Sequence, residues 1–276
     1  MHWPILAVSL QPHFDLAVFL DFLFHPNGAF IGGLAITIYV AVIAQSVGVI
    51  LGVLSALAGM ARNRVLRGIS AVYVWFFRGT PLLVQLVLVY FGTPYLLGID
   101  LFPTNVDAGF ISLRGAVVAG IVAFSLNEGA YMSEIVRAGI QSVDHGQTEA
   151  AKSLGMTYRL TMSRIVLPQA LRVIVPPLGN EFNNMLKTTS LLSVIAVQEM
   201  LRVTQASAAS TFKYFELYFA VALYYLALTT IWSFIQSRIE RRLGVASQRH
   251  EEQRGLVGRL IGLRGLSSDR SGGGTR

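Results

Sequence analysis

The chain has 276 residues, of which 53% are hydrophobic and only 13% are charged, and its formal net charge is +7. Soluble domains carry about a quarter charged residues, so this composition excludes an ordinary soluble domain, and the lack of cysteine excludes disulfides and thiolate metal sites. Residues 22–61 contain no Asp, Glu, Lys or Arg, a run longer than the ~20 residues that cross a bilayer. The sequence predicts an all-α polytopic membrane protein.

The first 29 residues are expected to form an outer or interfacial segment. Residues 14–24, FDLAVFLDFLF, have the pattern of an interfacial amphipathic helix, and Pro26-Asn27-Gly28 should end it. The first residues have no basic stretch before a long apolar one, so we expect no cleavable signal. A body over 30–240 and a basic, disordered cytoplasmic tail over 241–276 complete the predicted organisation.

Five membrane-spanning segments are predicted within 30–240. Their approximate ranges are 30–58, 69–97, 113–133, 165–195 and 214–237. The sequence RGTP at 78–81 interrupts the second span, and Pro81 is expected to kink it. A polar turn over 100–112 precedes the third span, and a short connecting helix is expected within 197–211.

The distribution of basic residues orients these spans. Cytoplasmic loops of membrane proteins carry an excess of Lys and Arg. Basic residues cluster after the first span, after the third and after the fifth, at Arg62, Arg64, Arg67, Arg137, Lys152, Arg159, Arg164, Arg238, Arg241 and Arg242. Because they lie beside apolar segments, they do not indicate nucleic-acid binding. The pattern predicts an N-terminus outside and a C-terminus in the cytoplasm, with Arg114, Arg202 and Lys213 as scattered exceptions.

A polar stretch, EAAKSLGMTYRLTMSRIVLP at 149–168, separates two apolar segments. Asp144 is a suitable N-cap, with Gln147 three residues later as in a capping box, and Gly155 is placed to end a short helix. On that helix Ala150, Ala151 and Leu154 should share a small apolar face. A helix of about two turns is marginal alone. It needs a surface to dock on, unless it is a helix at the lipid interface or a simple connector.

The spacing in this stretch resembles a known signature. Glu149-Ala150-Ala151, then Gly155, then Ile165-Val166-Leu167-Pro168 match the EAA motif of permease subunits in ATP-binding-cassette (ABC) importers. Four further stretches are similar to the permeases for polar amino acids such as histidine, arginine, glutamine and glutamate. They are FRGTPLLVQL at 77–86, GAYMSEIVRAGI at 129–140, NEF at 180–182 and LKTTSLLSVI at 186–195. The resemblance extends over roughly residues 30–240.

The resemblance implies a type I ABC importer transmembrane domain over 30–240, with an EAA coupling segment at 144–168 that docks in a groove of an ATPase. The implied coupling residues are Glu149, Ala150, Ala151, Gly155, Ile165, Leu167 and Pro168. The implied partners are a cytoplasmic ABC ATPase dimer, an extracytoplasmic amino-acid-binding protein, a second permease copy or sister permease, and membrane lipid. The implied location is the bacterial cytoplasmic membrane.

This chain is not expected to be an enzyme. It has no Gly-x-x-x-x-Gly-Lys-Ser/Thr loop to hold nucleotide phosphates, so ATP and Mg²⁺ should be used by the partner ATPase, and we expect no cofactor, catalytic residue or metal ligand in this chain. Its five histidines all lie outside the predicted spans, which disfavours an intramembrane enzyme. The alternative function is an ion-coupled secondary transporter or channel for small polar solutes.

Charged residues inside spans are candidates for the substrate pathway, because burying charge in a membrane is costly. The candidates are Asn127, Glu128, Arg78, Glu181 and Lys187. For Glu128 the alternatives are contact with a cationic group of the substrate and an interhelical pair with Arg78 or Lys187. For Glu181 and Lys187 they are a buried pair and a place in the pathway. Glu134 and Arg137, three residues apart, are expected to pair on one helix.

Overall fold

The computed structural model describes residues 14–103, 105–108 and 111–244. The elements are α1 (Leu16–Phe24), α2 (Gly28–Gly59), α3 (Arg64–Gly79), α4 (Leu82–Val87), α5 (Thr93–Leu97), β1 (Asn105–Ala108), β2 (Ile111–Arg114), α6 (Gly115–Gln141), α7 (His145–Ser153), α8 (Tyr158–Thr161), α9 (Leu167–Thr188), α10 (Met200–Thr211) and α11 (Tyr214–Arg242). The predicted all-α class is confirmed, with one short antiparallel hairpin added where the sequence predicts a polar turn. Residues 1–13 and the tail beyond 244 lie outside the described residues.

The first two helices begin where their capping residues require. The Asp15 side chain accepts a hydrogen bond from the Val18 backbone N–H and starts α1. Asn27 caps α2 in the same way, through the Phe30 N–H. The predicted break at Pro26-Asn27-Gly28 is therefore confirmed, because these residues separate the end of α1 from the start of α2.

Helix α1 packs on α11 of the same chain. Lys213 Nζ donates a hydrogen bond to Asp15 Oδ2 at 2.9 Å, and the Asp15 N–H donates one to Glu216. The Lys213 ammonium holds the pKa of Asp15 below its usual range, and Asp15 raises the pKa of Lys213. The rings of Phe19 and Phe219 stack with centroids 5.3 Å apart. The N-terminal amphipathic helix thus has a protein surface on one side.

Helices α2 and α6 run parallel in close contact, because glycines on α2 leave room for α6. A β-carbon on Gly48 would lie 2.6 Å from Cγ of Glu128, and one on Gly52 would overlap the Met132 side chain. Small residues let membrane helices approach closely. Gly48 and Gly52 therefore make the close approach of α2 and α6 possible.

We expect Gly52→Val to lower the thermal unfolding temperature of the detergent-solubilised protein by several degrees. Overpacking a tight contact costs about 1–3 kcal/mol, and here the added methyl groups would meet Met132 and the α6 backbone. Gly32→Val is the matched control, since Gly32 is on the same helix and has nothing within 4 Å of its β-carbon position. Equal unfolding temperatures for the two variants would contradict the packing role.

The second predicted span is broken. Helix α3 and the helical run over 82–96 form an angle of 105°. Thr80 is extended, with φ −119° and ψ 148°, because a residue before proline is pushed out of the helical region. The interruption expected at RGTP is therefore present, and it is a sharp bend rather than a mild kink.

Helices α9 and α11 complete the bundle. Helix α9 runs antiparallel to α6, since Gly139 contacts Ile174 near one end and Gly120 contacts Leu192 near the other. The bundle thus has two ends. We call the end with residues 144–168 the EAA end and the end with β1 and β2 the hairpin end.

The main buried apolar cluster lies between the helices and comprises Val40, Ala41, Ala44, Leu86, Val117, Ala123, Phe124, Met185, Leu186, Leu192, Ile195 and Val197.

Within the described residues, three helices are long and apolar enough to cross a membrane, namely α2, α6 and α11, and the bent pair would make a fourth. Helix α9 is less apolar, because it contains Arg172, Glu181 and Lys187. The count of five spans stays a prediction. The boundaries also differ from those predicted: α6 continues to Gln141 instead of ending near 133, and the helical run that includes α9 begins at Tyr158 instead of 165.

Candidate functional site

A band of polar side chains crosses the interior of the bundle where α2, α3, α4 and α6 meet. We call Gln45, Tyr73, Gln85, Asn127 and Glu128 the polar cluster. All except Tyr73 are buried. Since buried polar groups need hydrogen-bond partners, the partners of the four buried side chains show what each one does in this conformation.

Glu128 lies between α2 and α6, with 5% of its surface exposed. Gln45 Nε2 donates a hydrogen bond to Glu128 Oε1 at 2.8 Å. The interhelical partner of Glu128 is thus Gln45, and of the two alternatives the ion pair with Arg78 or Lys187 is not formed among the described residues. The Glu181 carboxylate on α9 lies close enough to interact electrostatically with that of Glu128. Contact of Glu128 with a substrate stays a prediction.

Asn127 holds the bend between α3 and α4. Its Nδ2 donates to the Phe77 carbonyl at 2.9 Å and to Gln85 Oε1 at 3.0 Å. Gln85 Nε2 in turn donates to Phe77 O and to the Thr80 side chain. The break at Pro81 leaves carbonyls without their helical donors, and these two amides supply replacements. In this conformation Asn127 therefore supports the backbone.

Arg78 turns toward the EAA end and interacts with α6. Its guanidinium lies 5.3 Å from the Tyr131 ring centroid and 3.8 Å from Glu134 Oε2. Arg137 binds the same carboxylate more closely, with Nη2 at 2.6 Å from Oε2. The predicted intrahelical pair of Glu134 and Arg137 is confirmed. Arg78 joins this pair at its edge, as expected for a long side chain that reaches a carboxylate near a helix end.

Glu181 and Lys187 do not form the buried pair considered from the sequence. Glu181 is half-buried and interacts with Asn184 of its own helix. The Lys187 side chain is exposed, and among the described residues it has no ion-pair partner. Their place in the substrate pathway stays a prediction.

The short helix α7 has the caps that the sequence predicts. Asp144 starts it and accepts a hydrogen bond from the Gly146 N–H at 2.6 Å, rather than from Gln147 as in the expected capping box. Gly155 follows its C-terminus with φ +75°, a left-handed conformation that favours glycine. The Gly155 and Met156 N–H groups donate to the carbonyls of Lys152 and Ala151. The last turn is thereby closed.

The apolar face expected on α7 is divided. Ala151 is buried and packs inward, whereas Ala150 is exposed. Leu154 is 83% exposed, and Tyr158 is 73% exposed. Burying a leucine stabilises a protein by about 1.5–3 kcal/mol, so a leucine exposed to this degree beside a capped helix marks a surface suited to a partner. Glu149 and Lys152 are exposed beside it.

The remaining motif residues lie in one continuous helical run. A π-helical turn over Met162–Val166 joins α8 to α9. Pro168 is the second residue of α9, and it lacks the N–H that would bond to the preceding turn. The wider π turn lies directly before it, where the normal ladder is interrupted. Ile165 is half-buried, and Leu167 and Pro168 are exposed on the same end of the bundle as α7.

Several structurally important polar residues were not singled out from the sequence. Gln45 is the one amide in the apolar helix α2, which was a usable signal. Glu199 is fully buried; its carboxylate caps α10 through the N–H groups of Leu201 and Arg202 and accepts a hydrogen bond from Tyr225. Nothing in its local sequence shows that burial, because it depends on α11.

Residues 48–245 match the family described as the binding-protein-dependent transport system inner membrane component. The chain belongs to this family. It is therefore a membrane component of a transport system, as the EAA motif and the exposed end of α7 indicate. The expected resemblance and the expectation of a transport protein are confirmed at the level of the family.

Named relatives support the same membership. A putative glutamine transport system permease protein of Rickettsia bellii (strain RML369-C) is 40% identical over 224 residues, which are 81% of this chain and 97% of the relative. The L-cystine transport system permease protein of Bacillus subtilis (strain 168) is 41% identical over 214 residues, 77% of this chain and 85% of the relative. A crystal structure of an amino acid ABC transporter with histidines has a TM-score of 0.72 and 37% identity, over 83% of this chain and 99% of that one.

Proposed function

We propose that the chain is the permease subunit of an ATP-driven amino acid importer. The observation that carries this proposal is the capped helix α7, ended by the left-handed Gly155, with an exposed apolar surface at one end of a bundle of this family. Two relatives that are about 40% identical over most of the chain are named as glutamine and L-cystine transport permeases, which supports an amino acid as the solute. The proposed role is to form the pathway and to couple closure of the ATPase to alternating access.

The proposed ATPase contact uses the outward side of the EAA segment. Leu154 and Tyr158 supply apolar surface, and Glu149 and Lys152 supply charges of both signs next to it. Apolar anchors with a charged rim are typical of protein interfaces. The proposed partner is a cytoplasmic ABC ATPase dimer that uses ATP and Mg²⁺, while this chain binds no cofactor.

The proposed pathway lies beside the polar cluster. Glu128 on α6 and Glu181 on α9 come from different helices, and their carboxylates interact electrostatically. Carboxylates in such a place favour a cationic group, such as the α-ammonium that every amino acid carries. We propose that a second permease copy or a sister permease completes the pathway, and that an extracytoplasmic binding protein delivers the amino acid.

The proposed orientation places the EAA end in the cytoplasm of a bacterium and the hairpin end outside. Arg62, Arg64 and Arg67 lie at the same end of the bundle as the EAA segment and the end of α11, which agrees with the excess of basic residues on cytoplasmic sides. In this orientation α7 meets the ATPase, and the chain is a multi-pass protein of the cytoplasmic membrane.

Uptake by proteoliposomes tests the proposed function. The permease is reconstituted with its ATPase, and a loaded binding protein is added outside. We expect amino acid uptake only when ATP is enclosed, and none with a non-hydrolysable analogue. A sodium or proton gradient applied without ATP is the comparison. Uptake driven by either gradient alone would overturn the importer proposal and favour an ion-coupled secondary transporter.

A further inference from the structure

A cleft at the EAA end contains more basic than acidic side chains. It lies between α2, α3 and α6, has a volume of about 440 Å³, and is lined by Arg67, Arg78 and Arg137 together with Ser70, Ser133 and Glu134. We call it the basic cleft. It is separate from the polar cluster and from α7, and neither the EAA motif nor the proposed pathway uses it.

Three guanidinium groups and one carboxylate line the basic cleft. Glu134 accepts two hydrogen bonds from Arg137 and lies 3.8 Å from Arg78. Arg67 contacts the carbonyls of the loop before α3. The local charge is therefore about +2, and each guanidinium has five N–H donors. Arg78 and Arg137 are partly exposed, so donors remain available to an anion.

The outward face of α3 beside the cleft is apolar. Ile69, Val72, Trp75 and Phe76 are exposed on it, and Trp75, which is 74% exposed, also lines the cleft. Tryptophan is enriched at the boundary between membrane and water. A basic cleft next to an exposed apolar strip matches an amphiphilic anion, with its head in the cleft and its chains along the strip.

We propose that the basic cleft binds the phosphate headgroup of an anionic phospholipid, whose acyl chains lie along the strip on α3. Basic pockets between membrane helices on the cytoplasmic side bind such headgroups. A free phosphate would use the arginines but not the strip. The lipid proposal rests on the proposed function in two respects only: the EAA end lies in the cytoplasm, and the bundle lies in the membrane.

The test measures binding of phosphatidylglycerol to the purified permease–ATPase complex, by native mass spectrometry and by the shift in unfolding temperature. We expect saturable binding that phosphatidylcholine does not reproduce and that inorganic phosphate does not displace. Arg67→Gln/Arg78→Gln should weaken it about thirtyfold, from about 1 kcal/mol for each arginine. Arg238→Gln/Arg241→Gln is the matched control, since it removes the same charge from the end of α11, outside the cleft, and should leave binding within twofold.

A second variant keeps the test decisive if the double arginine variant does not fold. Trp75→Ala retains every charge of the cleft and should weaken phosphatidylglycerol binding severalfold. Equal loss in the two arginine double variants would overturn the proposal as unspecific charge attraction. Displacement of the lipid by inorganic phosphate would show that the cleft is a site for soluble anions. Absence of lipid from the assembled complex would show that another subunit covers the apolar strip on α3. Either result would overturn the lipid proposal. The lipid-binding measurements use neither ATP hydrolysis nor an amino acid. Failure of the lipid proposal is therefore distinguishable from failure of the importer proposal.

Discussion

Replacing Gly155 with valine is expected to lower ATP-driven uptake by about tenfold or more, while the permease still folds and inserts. Gly155 has φ +75° and nothing within 4 Å of its β-carbon position. Valine would therefore strain the backbone conformation without clashing with a neighbouring atom. The left-handed conformation costs an L-residue about 1–2 kcal/mol, and more when it is β-branched. The chain would relax by unwinding the last turn of α7 and displacing Leu154.

Gly98→Val is the matched control for this effect. Gly98 also has a positive φ, +67°, and nothing within 4 Å of its β-carbon position, but it lies at the hairpin end. The two variants carry the same kind of backbone strain at opposite ends of the bundle. Uptake and co-purification of the ATPase should fall for Gly155→Val and be retained for Gly98→Val. Equal losses of uptake, with the ATPase still bound to both, would contradict a coupling role for α7.

Glu128→Gln is expected to weaken amino acid binding to the permease–ATPase complex about tenfold, with little change in unfolding temperature. An amide oxygen can still accept the hydrogen bond from Gln45, so packing between α2 and α6 is preserved. The variant removes the negative charge, and hydrogen bonds between charged groups contribute about 1.5–3 kcal/mol. Equilibrium binding of cationic, neutral and acidic amino acids, without the binding protein, measures the loss.

Gln45→Leu separates substrate contact from packing. It leaves the Glu128 charge in place but removes its hydrogen-bond donor, and an unsatisfied buried polar group costs about 1–3 kcal/mol. We expect a lower unfolding temperature for Gln45→Leu with the order of amino acid affinities unchanged. If Glu128→Gln alters only stability or assembly and Gln45→Leu behaves in the same way, Glu128 is a structural residue and the pathway must use other side chains.

The contacts of the charged candidate residues show which interactions the sequence predicts and which it does not. Glu134 and Arg137 are three residues apart on one helix, so helical geometry alone predicts their contact. Arg78 lies 56 positions from Glu134, and its contact depends on the 105° bend and on how α3 packs against α6. For Glu128, electrostatics favoured a basic partner, but the geometry of two parallel helices selected Gln45.

The EAA segment was the most predictable part of the molecule. Its caps are local, because Asp144 bonds within its own first turn and Gly155 acts through its own backbone angle. The division of the apolar face was not predictable, since the helical spacing of Ala150, Ala151 and Leu154 does not say which side meets the bundle. Helix α7 packs against the π-helical turn and α8, and in this arrangement Ala151 is buried whereas Leu154 is exposed.

The sequence by itself determined the all-helical membrane class, the start and end of α7, and the family, because composition, capping and motif spacing act over a few neighbouring residues. Only the tertiary structure decided the partners of Glu128, Asn127 and Arg78, the burial of Glu199, and the grouping of Arg67, Arg78 and Arg137 in one cleft. These contacts join residues far apart in the chain. They depend on helix direction, on the bend at Pro81 and on the close approach at Gly48 and Gly52, none of which local patterns specify.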